Sequence, residues 1–508
     1  MTKSWCYLIF VIFICSCESN PDDSLINIEK TPVNYLSEID SLKPSDLNFT
    51  IKHFEEIKLI LRDIYSNNSS VWENSKTITD SLIVLWQDLP LQAYPENFIN
   101  TDFLSITNTY TKGRKEVLYA FVFLHLSVSL CPSSDSLEKE HLKSISRKLQ
   151  EARNWIQVKS LQTSLCFNNN FIRSIRNNYS KSLVYTNPNL EGAIFNSPKD
   201  STSNYEVARY YLHQLYSNGS IKSSDSIFFS YIKQFQSDHG LEPDGKIGTY
   251  TRKAMSLSGK QRLQSVNYTL NQMMKDSISD SILILVNIPS YQLFLVNNQD
   301  IDTFRVIVGT VKAQTVTFDS KMQNILLRPE WNVPYSISSG ELLPKLKKDA
   351  TYAKSKNYKV YKSGELIDAE EIDWSRYTDK NFPYRIVKDA GPANDLGLVK
   401  FNFLNPHSIY IHDTPSKTLF NRDVRSFSHG CIRVQDPFIL AEKILHIDGG
   451  HGKQPADSLY KQAFNGVRKI FTIKANIPVY IRYYPVLGKK ESGLVFYPDI
   501  YNKVELKN

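Results

Sequence analysis

The sequence predicts a multidomain α+β protein: a helical N-terminal scaffold, a small three-helix unit, and a mainly β C-terminal domain with an inserted lid. Three observations predict it. Apolar residues recur at steps of three and four through the first part of the chain. A helix–turn–helix pattern rich in turn residues follows at 204–275. From residue 281, short apolar runs separated by Asn and Gly take over, which is strand patterning. The 508 residues leave room for about three or four domains.

Composition sets limits on function. With 41% hydrophobic and 22% charged residues the chain is globular, and global disorder is excluded. The formal net charge of +8 is too dilute over this length to indicate a nucleic-acid partner. It suits a protein working near acidic polymers or a membrane. The 6 cysteines exclude a disulfide-dense scaffold.

The elements follow in order. Lys3 precedes an apolar run at 5–15, which is shorter than the roughly 20 residues of a spanning helix and suits a signal segment. The run ends Ile14-Cys15-Ser16-Cys17. This resembles a bacterial lipobox, with an aliphatic residue at −3 and a small one at −1. Cys15 fits less well because large Ile14 precedes it. The expectation is a signal peptide over 1–16, lipid on Cys17, and a membrane held through that lipid. Residues 17–45, polar and with three prolines, read as a tether spanning ~30 Å as a coil.

Residues 46–200 read as a helical scaffold, from Phe54, Ile57, Leu61 and Ile64 and from Val117, Phe121, Leu124 and Val128. Cys131 and Cys166 fall here, either paired or as two free thiols. In 204–275, Ile227, Phe228, Tyr231, Ile232 and Phe235 share one helical face and Gly240 stops the helix. Asp244-Gly245 and Gly248 supply the turn before a second helix. His239, beside the stop, reads as a surface or capping residue.

The β domain is expected over 281–488, with strands at 282–288, 292–296, 303–308, 398–403, 408–412 and 479–483. An insertion at about 340–395, carrying Trp374 and Tyr377, is long enough to be a functional lid. Residues 489–508 read as a C-terminal tail.

The chemistry concentrates between 407 and 451, where five of the ten histidines and Cys431 lie. A free thiol is only a few per cent ionised at neutral pH, so a catalytic one needs a base. It also needs donors for an oxyanion. His412 ends an apolar strand, and His429 stands two residues from Cys431, so two imidazoles are candidates. Gly430 allows the backbone a close approach to substrate. No Cys-x-x-Cys or His-Glu-x-x-His spacing occurs in this region, so neither metal nor other cofactor is expected.

Two resemblances follow from these residues. The segment from Gln236 to Thr249, with Gly240-Leu241, Asp244-Gly245 and Ile247-Gly248, resembles the type 1 peptidoglycan-binding domain. His412, then 15 residues, then Ser428-His429-Gly430-Cys431 resembles the motif of the YkuD-type L,D-transpeptidase catalytic domain. Arg433 fits that motif, and Trp331-Asn332-Val333-Pro334 together with the lid resembles its large YcbB-type subgroup.

The resemblance implies a β-sandwich, with Cys431 as nucleophile and His412 as proton acceptor and donor. It implies that the carbonyl of Asp413 orients His412 and that His429 and Ser428 shape the site. Backbone N–H groups around Gly430 and Cys431 would form the oxyanion hole. Arg433 would either pair with a substrate carboxylate or brace its loop. The implied partners are peptidoglycan stem peptides and glycan, and the implied reaction is 3→3 cross-linking through a thioester. A cysteine amidase that only trims stem peptides, or a non-catalytic wall-binding lipoprotein, are the alternatives. The expected place is the cell envelope, as a periplasm-facing membrane lipoprotein.

Overall fold

The computed structural model describes residues 34–43, 54–66, 114, 117, 118, 121, 174, 175, 178, 182–187, 190–196 and 201–504, apart from 217–223, 277, 279 and 490–492. The signal segment, Cys17, Cys131, Cys166 and most of the helical scaffold lie outside these residues. Among the described residues no helix is long and apolar enough to cross a membrane.

One stretch read as tether is structured. Asn34 caps α1 (Tyr35–Asp40) by accepting from the Ser37 N–H. This helix packs on α2 (Phe54–Ile64), with Tyr35 stacked on Tyr65 and Ile39 buried. Two apolar residues one turn apart suffice to dock it, and the surrounding polar sequence hid them.

The small helical unit comprises α3 (Ser201–Tyr216), α4 (Asp225–Asp238) and α5 (Thr249–Met255), followed by α6 (Gly259–Asp276). Buried Gln236 organises its turn. Its Oε1 accepts from the Gly245 N–H, and its Nε2 donates to Asp244 and to the Lys246 carbonyl. His239 caps α4 as expected, but it is buried rather than on the surface. Its ring stacks between Phe235 and Phe496 and accepts from the buried Arg262.

The β domain opens with β1 (Ile282–Asn287), β2 (Gln292–Asn297), β3 (Asp300–Gly309) and β4 (Phe318–Leu327). A lid sheet follows: β5 (Trp331–Asn332), β6 (Tyr358–Lys362), β7 (Glu365–Ile367) and β8 (Arg385–Lys388). The chain then returns through β9 (Val399–Phe403), β10 (Ile411–His412), β11 (Ser426–Ser428) and β12 (Ile432–Val434). Helices α7 (Pro437–Asp448) and α8 (Ala456–Phe464) precede β13 (Lys469–Thr472) and β14 (Pro478–Arg482).

The strand circuit closes: β3, β12, β10, β9, β4, β14, β1, β2 and back to β3, with β11 on β3 and β13 on β4. Strands β3 and β4, ten residues each, serve both layers. The first part of β4 pairs with β14 and the rest with β9 and β13. The result is a flattened, closed β-sandwich.

Strand alternation assigns each residue a side. Ile284, Val286, Leu293 and Leu295 point into the sandwich core with Phe401, Ile411, Ile432 and Val434. Leu283, Leu285 and Val296 point outward into a second core with Ile232, Phe235 and Leu270 from the helices. β1 is therefore buried on both faces, which explains its unbroken apolar run.

Two boundaries change. The lid begins at Trp331, because β5 pairs with β8, and it has its own core around Trp374, Phe382 and Ile386. The segment read as a tail is built in: β15 (Val486–Lys489) pairs with β16 (Gly493–Phe496), and Tyr501 is buried in the sandwich core. Its apolar residues are too few and too scattered to read as an element from sequence.

Candidate active site

The site starts from the pairing of two short parallel strands. β10 and β12 align Ile411 with Ile432 and His412 with Arg433. Ile411 and Ile432 enter the core. Alternation therefore puts Tyr410, His412, Cys431 and Arg433 together on the opposite face. On the other side β9 sets Lys400 against His412. Lys400 Nζ lies 3.9 Å from the centre of the Tyr410 ring, whose centroid is 5.5 Å from that of His412. One face of a three-strand ribbon thus carries a thiol, an imidazole, a phenol and two cations.

His412 is held by its neighbours. Its Nδ1 donates to the Asp413 carbonyl at 2.5 Å, which leaves Nε2 as the acceptor. Asp413 is itself clamped: its carboxylate accepts from Leu398 N–H (2.9 Å), Thr414 N–H (2.7 Å) and Lys417 Nζ (2.6 Å). Gly397 makes room. Its φ is +59°, and a Cβ there would fall 2.3 Å from the Asp413 carboxylate.

Cys431 follows a tight turn. Gly430 has φ +109°, a conformation that L side chains rarely adopt. Ser428 Oγ spans the turn, accepting from Gly430 N–H and donating to the Cys431 carbonyl. Thr315 Oγ1 donates to the Gly430 carbonyl, and Tyr501 both donates to Gly309 O and accepts from Thr315 N–H. The expected oxyanion donor at Gly430 is therefore engaged with Ser428. The Cys431 N–H has no hydrogen-bond partner among the described residues and remains the donor there. The half-buried thiol donates to the Ser408 carbonyl at 3.8 Å, and Ser408 itself sits at φ +55°.

Burial decides the charge states. It pushes the His412 imidazole down to about 3, aided by the positive charge of Arg433. It pushes the Cys431 thiol up, against hydrogen bonds from Tyr410 and the charges of Lys400 and Arg433. At neutral pH the pair is thiol and imidazole, both uncharged. Burial also pulls Lys400 below the ordinary lysine value.

The lid meets the site region at Tyr410, on this face, and at His429, beside it. Glu341 accepts from His429 Nε2 at 2.5 Å, and the Trp331 side chain hydrogen-bonds Tyr410.

Comparison with known proteins now bears on this geometry. Residues 281–462 match the family described as "L,D-transpeptidase catalytic domain" (YkuD), and residues 201–255 match the "Putative peptidoglycan binding domain" family. Residues 281–462 are thus similar to a YkuD-type L,D-transpeptidase catalytic domain. A relative from Haemophilus influenzae described as "Putative L,D-transpeptidase" is 37% identical over 220 residues. The alignment covers 43% of this chain and 44% of that relative, so the chain matches under half of the relative's length.

Within the YkuD-like region, His412, Cys431 and Arg433 share one face, with Asp413, Ser428 and Gly430 supporting it from behind. His429 is not part of that group: it is exposed and turned toward the lid. Trp374 and Tyr377, expected as lid residues, do lie in the lid and pack inside it. The Trp374 indole donates to the Ala369 carbonyl, and Tyr377 accepts from the Tyr384 hydroxyl. Sequence reasoning missed Tyr410, Lys400, Ser408 and Glu341. Period-two counting from His412 reaches Tyr410. Lys400 requires the register with β9, and nothing local marks Glu341.

Proposed function

We propose that the protein is a peptidoglycan L,D-transpeptidase that makes 3→3 cross-links through a cysteinyl thioester. The observation that carries this reading is the shared face: an uncharged thiol beside a buried imidazole whose free nitrogen is fixed as an acceptor. The donor is a stem tetrapeptide. Cys431 Sγ attacks the carbonyl carbon at the L-centre of the diacid residue, and its proton passes to His412 Nε2. The Cys431 N–H faces the oxyanion. The C–N bond breaks, the departing D-Ala nitrogen takes the proton from His412, and the acyl group stays on sulfur. The side-chain amine of a second stem then attacks the thioester, gives a proton to His412 and restores the thiol. Water in place of the amine gives a tripeptide, the trimming alternative. The lid, docked through Glu341, favours the amine by limiting water. The module at 201–255 holds the enzyme on its polymer.

The test is incubation of the purified protein with disaccharide-tetrapeptide and identification of products by mass. Dimer with D-Ala release is expected, and Cys431→Ala should lower release at least ~10³-fold. Release that survives the substitution would remove Cys431 from the reaction. Tripeptide without dimer would replace cross-linking by trimming.

A further inference from the structure

Lys400 and Arg433 are two cations with no direct ion pair; the acid that acts on Arg433 is Asp395, which is itself paired with Lys388. Lys400 is partly buried, and Arg433 Nε is buried with no hydrogen-bond partner. A charge taken from water needs a counter-charge. The acids around the site are already engaged: Asp395 with Lys388 at 2.7 Å, Asp413 with Lys417 at 2.6 Å, and Glu341 with His429 at 2.5 Å. Among the described residues neither Lys400 nor Arg433 forms an ion pair within 4.0 Å. The Tyr410 ring under Lys400 Nζ steadies it, but a ring face cannot accept from all three ammonium N–H groups.

Both cations occupy the thiol's own face. Arg433 lies one alternation beyond Cys431 on the same strand, and Lys400 reaches over Tyr410 from β9. An anion held there would sit a few bonds from the reacting carbonyl. In the reaction proposed above, on which this step rests, the departing residue carries such an anion: its α-carboxylate, attached to the carbon next to the scissile nitrogen. We propose that Lys400, with Arg433 as a second arm, anchors the free carboxylate of the departing residue and so restricts the donor to chains that end one residue past the scissile bond. Lys400 is then a specificity-determining residue. An internal peptide bond, or an amidated terminus, leaves both half-buried cations without a carboxylate and is rejected for that reason.

The experiment uses two disaccharide-tetrapeptides that differ only in the last residue, D-Ala with a free carboxylate or D-alaninamide. The full-length protein is expected to favour the carboxylate by about 10- to 100-fold in kcat/KM, the range of a charged hydrogen bond. Lys400→Met should collapse that ratio toward one, and Lys400→Arg should keep most of it. A wild-type ratio near one would overturn the anchor while leaving the proposed reaction intact, and it needs no variant to fold. Equal losses on both substrates in Lys400→Met, with the ratio preserved, would assign Lys400 to support of Tyr410 or of the thiol instead. Release from neither substrate by the wild type would overturn the proposed reaction and the anchor with it.

Discussion

The candidate base and the candidate nucleophile stand on neighbouring strands, but opposite kinds of contact hold them. The clamp on His412 comes from residues close in sequence: Asp413 is adjacent, Lys417 is four residues from Asp413, and Leu398 is 15 residues from it. The turn before Cys431, spanned locally by Ser428, is otherwise held from far away. Thr315 is 115 positions from Gly430, Tyr501 is 192 positions from Gly309, and Glu341 is 88 positions from His429. The imidazole side is a local design that forms once two strands pair. The thiol side requires the sheet, the lid and the C-terminal segment to be in place. A damaged C-terminus should therefore disarm the thiol and spare the imidazole.

The most severe break is on the local side. Gly397→Ala puts a Cβ 2.3 Å from the Asp413 carboxylate and fixes a left-handed backbone on a residue that resists it by roughly 1–2 kcal/mol. Asp413 must move, and its carbonyl no longer sets His412. D-Ala release should fall roughly 100-fold, the cost of misplacing a catalytic group by about 1 Å. Alkylation of Cys431 by iodoacetamide should fall less than release, because the thiol loses its base but keeps its turn and its contacts with Tyr410 and Ser408. Unchanged release would mean that the clamp does not position the imidazole.

The distant side should break more gently and with a different signature, the two readouts falling together. Tyr501→Phe removes the hydroxyl that joins Gly309 O and Thr315 N–H, leaving a buried carbonyl and a buried N–H unsatisfied. That costs about 1–3 kcal/mol, shared among several contacts to the turn. Thiol alkylation and D-Ala release should both drop, by about three- to tenfold. A lower melting temperature with normal alkylation would reduce Tyr501 to a structural residue of the core.

The same division explains what the sequence could show. The strand ending at His412, the helix–turn–helix signature and the Ser428–Cys431 segment are local patterns, and each lies where it was read. The family match over 281–462 spans His412 and the Ser428–Cys431 segment. Tyr501 escaped notice because its role is a contact with Gly309 and Thr315 some 190 residues earlier, and β16 because it is a short strand paired with β15 and packed on the helices. Trp374 shows the complementary case. A tryptophan in an inserted segment has the chemistry to cover a substrate, but this lid is large enough to need a core of its own, and the indole fills it. Lys400 was overlooked because a lysine in a strand reads as a solvent-facing residue until the register sets it beside His412.

The smallest expected effect probes the lid, where the two sides meet. The Glu341–His429 pair is about half exposed at both ends, at 48% and 50%, so water and salt screen it. Such a pair contributes about 0.2–1 kcal/mol, which allows at most about a fivefold change in how long the lid stays docked. Glu341→Gln should leave acyl-enzyme formation near wild type, since neither Cys431 nor His412 touches this pair. The fate of the thioester should change: the ratio of dimer to tripeptide should fall about two- to fivefold as water gains access. Raising ionic strength should move the wild-type ratio the same way and have little effect on Glu341→Gln. If salt shifts the ratio equally in both proteins, the screened contact is a different ion pair, and Glu341 is not what docks the lid.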